Sequence, residues 1–325
     1  MLHLLYNHNP AELCRHATTQ YTSIITSVMM NDFKALTYPR INLKDNTLDE
    51  NLPSFPPTQR TRNAPQTDIG WLGQLPLELL QASLLQLDLR SLVNFRMVNR
   101  QGCLTVDNIP QFSSIVKHAQ VAIRAALAIQ TAPWITCAKL YRALCTAQCK
   151  SCGDFGGYLY ILTCERVCFL CLSNNKRYLP YDLTPRGFRL MRNSLNDLPH
   201  MTSFLGRYTP FCRKSARKLR LWDRESAEQS AISMTQVQEA EANAFDGNPK
   251  PENMLCFMAV VEAPVLDPKT GESEQGRYCL GCKDSQAHRS QHLRRRFNEH
   301  SFQAHIEECG PVVDDKRANK MHRSQ

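Results

Sequence analysis

The sequence predicts an α-rich chain in which small metal-stapled α+β units come after a helical module. Three observations carry that expectation. Leucines recur at helical spacing from Leu75 to Leu92, six of the fourteen cysteines crowd into residues 145–171, and a second CxxC pair, Cys279-Cys282, stands ahead of a helical His-x3-Cys. No apolar run approaches the roughly 18 residues that span a bilayer, so a membrane is not expected as a partner. The first ten residues lack a basic region and are broken by His3, Asn7 and His8, which argues against a signal peptide. CxxC pairs in such a chain suit metal ligation in a reducing compartment, the cytoplasm and/or the nucleus, better than a disulfide framework.

The helical module is read from its ends and its period. Leu75-Pro76 opens the first helix, with proline's φ preset and Glu78 placed against the positive end of the helix dipole. Leu77, Leu80, Leu84 and Leu87 line one face. Asp88 is the expected N-cap of a second helix carrying Leu89 and Leu92 and stopped by Gly102. A third helix is expected after Pro110, with Phe112, Ile115, Val116 and Ala119. Residues 119–148 keep an apolar stripe without Gly/Ser linker chemistry, so the helical module is expected to pack directly on the first cysteine unit.

Around this module the chain divides by composition. Residues 31–70 are proline-rich and polar, residues 1–30 have β-branched clusters without a clean period, and 1–70 are expected to form a disordered lead-in. Residues 119–224 are read as a helical connector, a metal unit and a basic helix, and 225–253 as a polar segment, part helix and part linker. Residues 254–312 are read as a second cysteine unit, and 313–325 as a disordered tail.

Cys149-x2-Cys152-x15-Cys168-x2-Cys171 is the spacing that brings four thiolates to one tetrahedral ion, and the chemistry points to structural Zn2+ in a zinc-ribbon-like unit. Gly153, Gly156 and Gly157 supply the turn, and Tyr158–Leu162 the strand that returns the second knuckle. Cys145 and Cys164 share the window at poorer spacing. The second set is Cys279, Cys282, His305 and Cys309. His305 and Cys309 are i, i+4 on a helix and give a Cys3His site. His300 with His305 would give Cys2His2 at an angularly poorer spacing.

The string from Leu75 to Arg100, with Leu75, Pro76, Glu78, Leu79, Leu80, Leu84, Leu87, Leu92, Arg96, Val98, Asn99 and Arg100 in place, resembles an F-box. Together with Cys149-x2-Cys152-Gly, Thr163-Cys164-x-Arg166-Val167-Cys168-Phe169-x-Cys171, Tyr278-Cys279-x-Gly281-Cys282 and the terminal His305-x3-Cys309, it resembles filamentous-fungal F-box proteins with a cysteine-rich region. The resemblance covers about residues 71–312. It implies a three-helix bundle at 71–118 that docks on a Skp-type adaptor, and through it on a cullin complex. Leu75, Pro76, Glu78, Leu79, Leu80, Leu84, Leu87 and Leu92 are its partner-binding residues. The chain would then be the substrate-receptor subunit of an SCF-type ubiquitin ligase, recruiting an unknown protein substrate through its zinc-stapled region.

No catalytic role is expected. Asp154-Phe155-Gly156 lacks every companion of the kinase motif, and no P-loop, dinucleotide fingerprint or nucleophile elbow is present. The alternative is a zinc-dependent nucleic-acid-binding or regulatory protein using the basic runs at 213–224 and 294–296. A net charge of +9 over 325 residues permits that reading without demanding it, so nucleic acid is the less favoured partner.

Overall fold

The computed structural model describes residues 33–39, 44–53, 67–181, 197–208, 218–233, 255–283, 292–310, 312–315 and 318–322. About half of these are helical, the strands are short, and the chain forms two compact units. Among the described residues no helix is long and apolar enough to cross a membrane.

The larger unit comprises residues 42–276 with 294–296. It opens with α1 (Leu48–Asn51), followed by α2 (Leu77–Gln86), α3 (Leu89–Val98), α4 (Arg100–Asp107), α5 (Pro110–Ala128) and α6 (Cys137–Leu144). Pro76 stands at the N-cap of α2 with an extended ψ of 140°, and its carbonyl accepts from Leu80 N at 3.0 Å. Leu80 and Leu84, four apart, turn inward. Asp88 caps α3 as its residue type demands, its Oδ1 accepting from Ser91 N at 2.9 Å.

Four helices stand where three were expected, and Gly102 is the reason. It does not stop α3. Asn99 leaves the helix in an extended conformation and caps α4 by accepting from Gly102 N at 2.7 Å. A Cβ on Gly102 would lie 2.9 Å from Phe95 O, so the missing side chain permits a close approach between α3 and α4. The pair is clamped by a bidentate bridge from Arg96 to Asp107, at 2.5 and 2.9 Å.

Helix α5 kinks at Ala119 (φ −140°, ψ 33°) and buries Ala122, Ile123, Ala125 and Ala126 beyond the kink. Thr136 caps α6, which buries Cys137, Leu140 and Leu144 at i, i+3 and i+7. Leu89 N donates to Ile135 O at 2.8 Å, joining α3 to the approach to α6. Residues 119–148 are therefore packed structure with no tether between the helical module and the cysteine-rich part.

That part holds β1 (Tyr158–Tyr160), β2 (Glu165–Val167) and α7 (Phe169–Asn174), then β3 (His200–Thr202) paired with β4 (Arg220–Trp222), and α8 (Arg224–Ser233). Next come α9 (Leu255–Met258), β5 (Val260–Glu262) and the hairpin of β6 (Val265–Leu266) and β7 (Ser273–Glu274). Strand β1 is central, antiparallel to both β2 and β5, and all three of its residues are buried. One hydrophobic core runs from Leu48 through the helices and this sheet to Leu266.

The smaller unit comprises residues 1–41, 277–293 and 297–325. A strand Thr37–Tyr38 pairs antiparallel with Tyr278–Cys279, which runs into α10 (Leu280–Lys283). Helix α11 (Glu299–Cys309) starts from a capping box between Asn298 and Ser301. Phe33, Phe297 and Phe302 pack with Cys279 and Cys282 in a separate small core.

The structure differs from the expected boundaries in four places. Phe33 and Leu48, isolated apolar residues in a polar lead-in, are both buried in cores; the remainder of that lead-in, apart from residues 34–39, 44–53 and 67–70, lies outside the described residues. Residues 255–276 belong to the larger unit, because β5 completes the sheet of β1. The end of the expected basic helix, Arg220–Trp222, is a strand, and 209–217 lie outside the described residues. Part of the expected tail forms an antiparallel strand pair, Val312–Asp315 with Ala318–His322.

Candidate metal centres

The first centre is assembled by a turn, a hairpin and a helix start. Gly153 sits at φ +82°, where glycine is at ease, and its N–H donates to Cys149 O at 3.0 Å. Lys150 N donates to Arg166 O at 2.9 Å, which ties the first knuckle to β2. Strand β1 leads out, Cys164 turns the chain at φ +57°, and β2 returns it to Cys168. Cys168 caps α7, its Sγ accepting from Cys171 N at 3.4 Å, so both thiols of the second knuckle face the first turn of that helix.

The ligand atoms of Cys149, Cys152, Cys168 and Cys171 all lie within 4.8 Å of one another. Cys152 Sγ and Cys168 Sγ are 3.6 Å apart. A disulfide needs about 2.05 Å, whereas tetrahedral thiolate coordination at about 2.3 Å gives sulfur–sulfur edges of about 3.8 Å. The four sulfurs are therefore placed so that they could hold a metal ion, and none of the twelve described cysteines is in a disulfide. The Cys149 thiol is held well below its ordinary value by the hydrogen bond from Cys168, against the opposing effect of its burial and with smaller help from backbone N–H groups. The same contact pushes Cys168 up. Cys164 lies outside the cluster; burial raises its thiol to about 12 and leaves it inert. Cys145 also stands outside.

Arg166, which spacing and period did not single out, locks this unit. It is 3% exposed, and its guanidinium donates to five carbonyl oxygens: Ala143 and Leu144 at the end of α6, Gly156 in the knuckle loop, and Ala263 and Pro264 after β5. Burial lowers its pKa to about 10, which still leaves it charged at neutral pH. In sequence it stands only as one residue of the string at 163–171; the next residue, Val167, is wholly buried.

The run Arg294–Arg296 is paired within the same unit. Arg294 forms an ion pair with Asp45 and lies over the Phe169 ring at 4.5 Å. Arg295 reaches Asp154 at 2.9 Å, and Arg296 reaches Glu262 at 2.7 Å and lies over Tyr158 at 4.9 Å. These cations are engaged by the chain's own carboxylates and rings, and one half of the expected nucleic-acid footprint is thereby occupied. In the other half, Arg220 stacks on Trp222 and Arg224 is buried against Leu179 O and the Tyr181 hydroxyl.

In the smaller unit Cys279, Cys282 and His305 come together, all buried, with ligand atoms within 4.8 Å of one another. Cys309, expected as their fourth ligand, does not join them. It groups with the other side of His305 and with Glu308. Cys282 Sγ lies 3.4 Å from His305 Nε2, whereas Cys309 Sγ lies 3.5 Å from Nδ1. Sharing a helix face at i, i+4 brings Cys309 to the imidazole at Nδ1, the nitrogen that Cys282 does not meet. His300 is exposed and outside both groups.

The expected partner-binding residues separate into two sets. Leu80, Leu84 and Leu92 are buried in the chain's own core, and Leu87 is half-buried against it. Leu75, Pro76, Glu78 and Leu79 are exposed. Beside them Trp71 is 84% exposed and Leu77 57%, a signal that helical period alone could not give. A cavity of about 820 Å³ lies here, lined among others by Ile69, Trp71, Leu75, Leu77, Gln101 and Thr105. Comparison of the chain with family models, curated proteins and solved structures yields no match.

Proposed function

We propose that this chain is the substrate-receptor subunit of an SCF-type ubiquitin ligase, non-catalytic itself, with its helical module docked on a Skp-type adaptor and cullin complex. The observation that carries the reading is the segment Trp71–Leu79. Its F-box-like Leu-Pro entry leaves Trp71, Leu72, Leu75, Leu77 and Leu79 exposed beside a large cavity, although the same helix buries Leu80 and Leu84. An exposed apolar run of this kind at a helix entry suits a partner that offers an apolar groove.

The remainder of the larger unit fits a rigid carrier. The four-sulfur site suits structural Zn2+, whose binding free energy adds to folding. A continuous core joins it to the docking helices, which gives a client a fixed reach from the ubiquitin donor. Free thiols and metal ligation favour a reducing compartment, the cytoplasm and/or the nucleus.

The test is co-purification of the full chain carrying Leu75→Ala with Pro76→Ala. Both residues are exposed, so the fold and its zinc content are expected to remain while adaptor and cullin are lost. Undiminished adaptor capture by the double variant would refute the assignment.

A further inference from the structure

We infer that the smaller unit holds a zinc-class ion through two sulfurs and one nitrogen, Cys279 Sγ, Cys282 Sγ and His305 Nε2, and that Cys309 positions His305 without touching the ion. This stands whether or not the helical module binds an adaptor. The two ring nitrogens of an imidazole point away from each other across the ring, so an ion on Nε2 is out of reach of a sulfur lying against Nδ1. Cys282 Sγ approaches Nε2 at 3.4 Å, and Cys309 Sγ approaches Nδ1 at 3.5 Å. One histidine thus separates two sulfurs into two roles. With Nε2 on the metal, Nδ1 carries the proton and donates it to Cys309 Sγ, the outer contact that fixes tautomer and ring orientation in metal-bound histidines.

The surroundings are built for that purpose. The Phe297 ring stacks on His305 at 4.3 Å with 26° between planes, and Phe302 stands 5.9 Å away, so the imidazole plane is held and water excluded. The knuckle is fixed from the other side. Cys279 pairs with Thr37, and the Arg277 guanidinium donates to Thr37 Oγ1 at 2.7 Å and to Thr37 O at 3.0 Å. Burial follows the same division: Cys279, Cys282 and His305 are enclosed, whereas Cys309 is half-buried and its neighbour Glu308 is exposed. Two thiolates and an imidazole are the donor set of a borderline-soft divalent ion, and zinc is its ordinary occupant.

The experiment is metal counting on the full chain and its variants by elemental analysis, with Co2+ replacing Zn2+ for spectroscopy. The unmutated chain is expected to hold two ions. Cys279→Ser should hold one. Cys309→Ser should still hold two, with the second bound 10–100-fold more weakly and its sulfur-to-cobalt charge transfer undiminished. Glu308→Gln should change nothing. The inference is overturned by a single ion in the unmutated chain, by Cys309→Ser losing its second ion as completely as Cys279→Ser, or by Cys309→Ser leaving affinity unchanged. Cadmium-113 resonance of the unmutated chain guards against variants that fail to fold. Two signals are expected, one in the four-sulfur region and one in the two-sulfur, nitrogen-containing region; a second signal with three or four sulfurs would also overturn the assignment.

Discussion

Trp71–Leu79 and Arg294–Arg296 both read, as sequence, like surfaces waiting for a partner: one an apolar run on a helix entry, the other a triple cation. The structure treats them oppositely. Each arginine is matched inside the larger unit by a carboxylate, Asp45, Asp154 or Glu262, and two of them lie over aromatic rings. The leucines at 75, 77 and 79 stand exposed beside Trp71. Residues whose chemistry is completed at home are scaffold, and those left incomplete are the proposed interface. The same division separates Leu80 and Leu84 from their immediate neighbours on one helix.

The comparison breaks most severely if the scaffold does not depend on its metal. Cys168→Ser with Cys171→Ser should abolish the first ion and unfold the larger unit. Structural zinc contributes about 10–16 kcal/mol in zinc-finger peptides, against a total stability of about 5–15 kcal/mol for a typical domain. A metal-free protein with an unchanged melt would show that the four sulfurs are incidental.

Next in size is Arg166→Met, which removes the cation and strands five buried carbonyl oxygens. The expected loss is on the order of 3–5 kcal/mol, read as a fall in Tm of about 10 °C in a chain of this size. A melt within a degree of the parent would mean that the arginine is carried rather than needed.

The interface side predicts the reverse pattern. Leu79→Ala should shift stability by no more than about 0.5 kcal/mol and weaken adaptor binding at least tenfold. Leu84→Ala on the same helix should cost about 2–5 kcal/mol through the cavity it leaves. Equal stability losses for the two would erase the distinction between them.

The smallest effect belongs to Arg295→Gln. Its pair with Asp154 is partly exposed, so about 1 kcal/mol or less is expected. Affinity for duplex DNA, and its salt slope, should not change. A slope that falls by about one unit would return this arginine to a phosphate-binding role.

Local features are legible in the sequence, whereas features set by distant partners are not. Asp88 announces its cap, Pro110 its helix start, and the two CxxC knuckles their cluster, because each signal is completed within a few residues. Gly102 reads as a stop because glycine's two uses, ending a helix and letting two helices touch, look identical in sequence. The pairing of Val260–Glu262 with Tyr158–Tyr160 spans a hundred residues, and nothing local encodes a non-local register. Asp45 and Asp154 are ordinary loop carboxylates until the fold brings Arg294 and Arg295 to them. Cys309 has the right face of the right helix, but which ring nitrogen it meets is a matter of side-chain rotamer.

The central claim is that the exposed apolar segment is the docking face and the metal-stapled part its rigid carrier. Hydrogen exchange of the unmutated chain with and without a purified Skp-type adaptor tests this most directly. The account predicts strong new protection confined to about residues 69–80 and the neighbouring α4, with exchange across 149–171 slow and unchanged. Protection that appears at 149–171, or none anywhere at saturating adaptor, would contradict it.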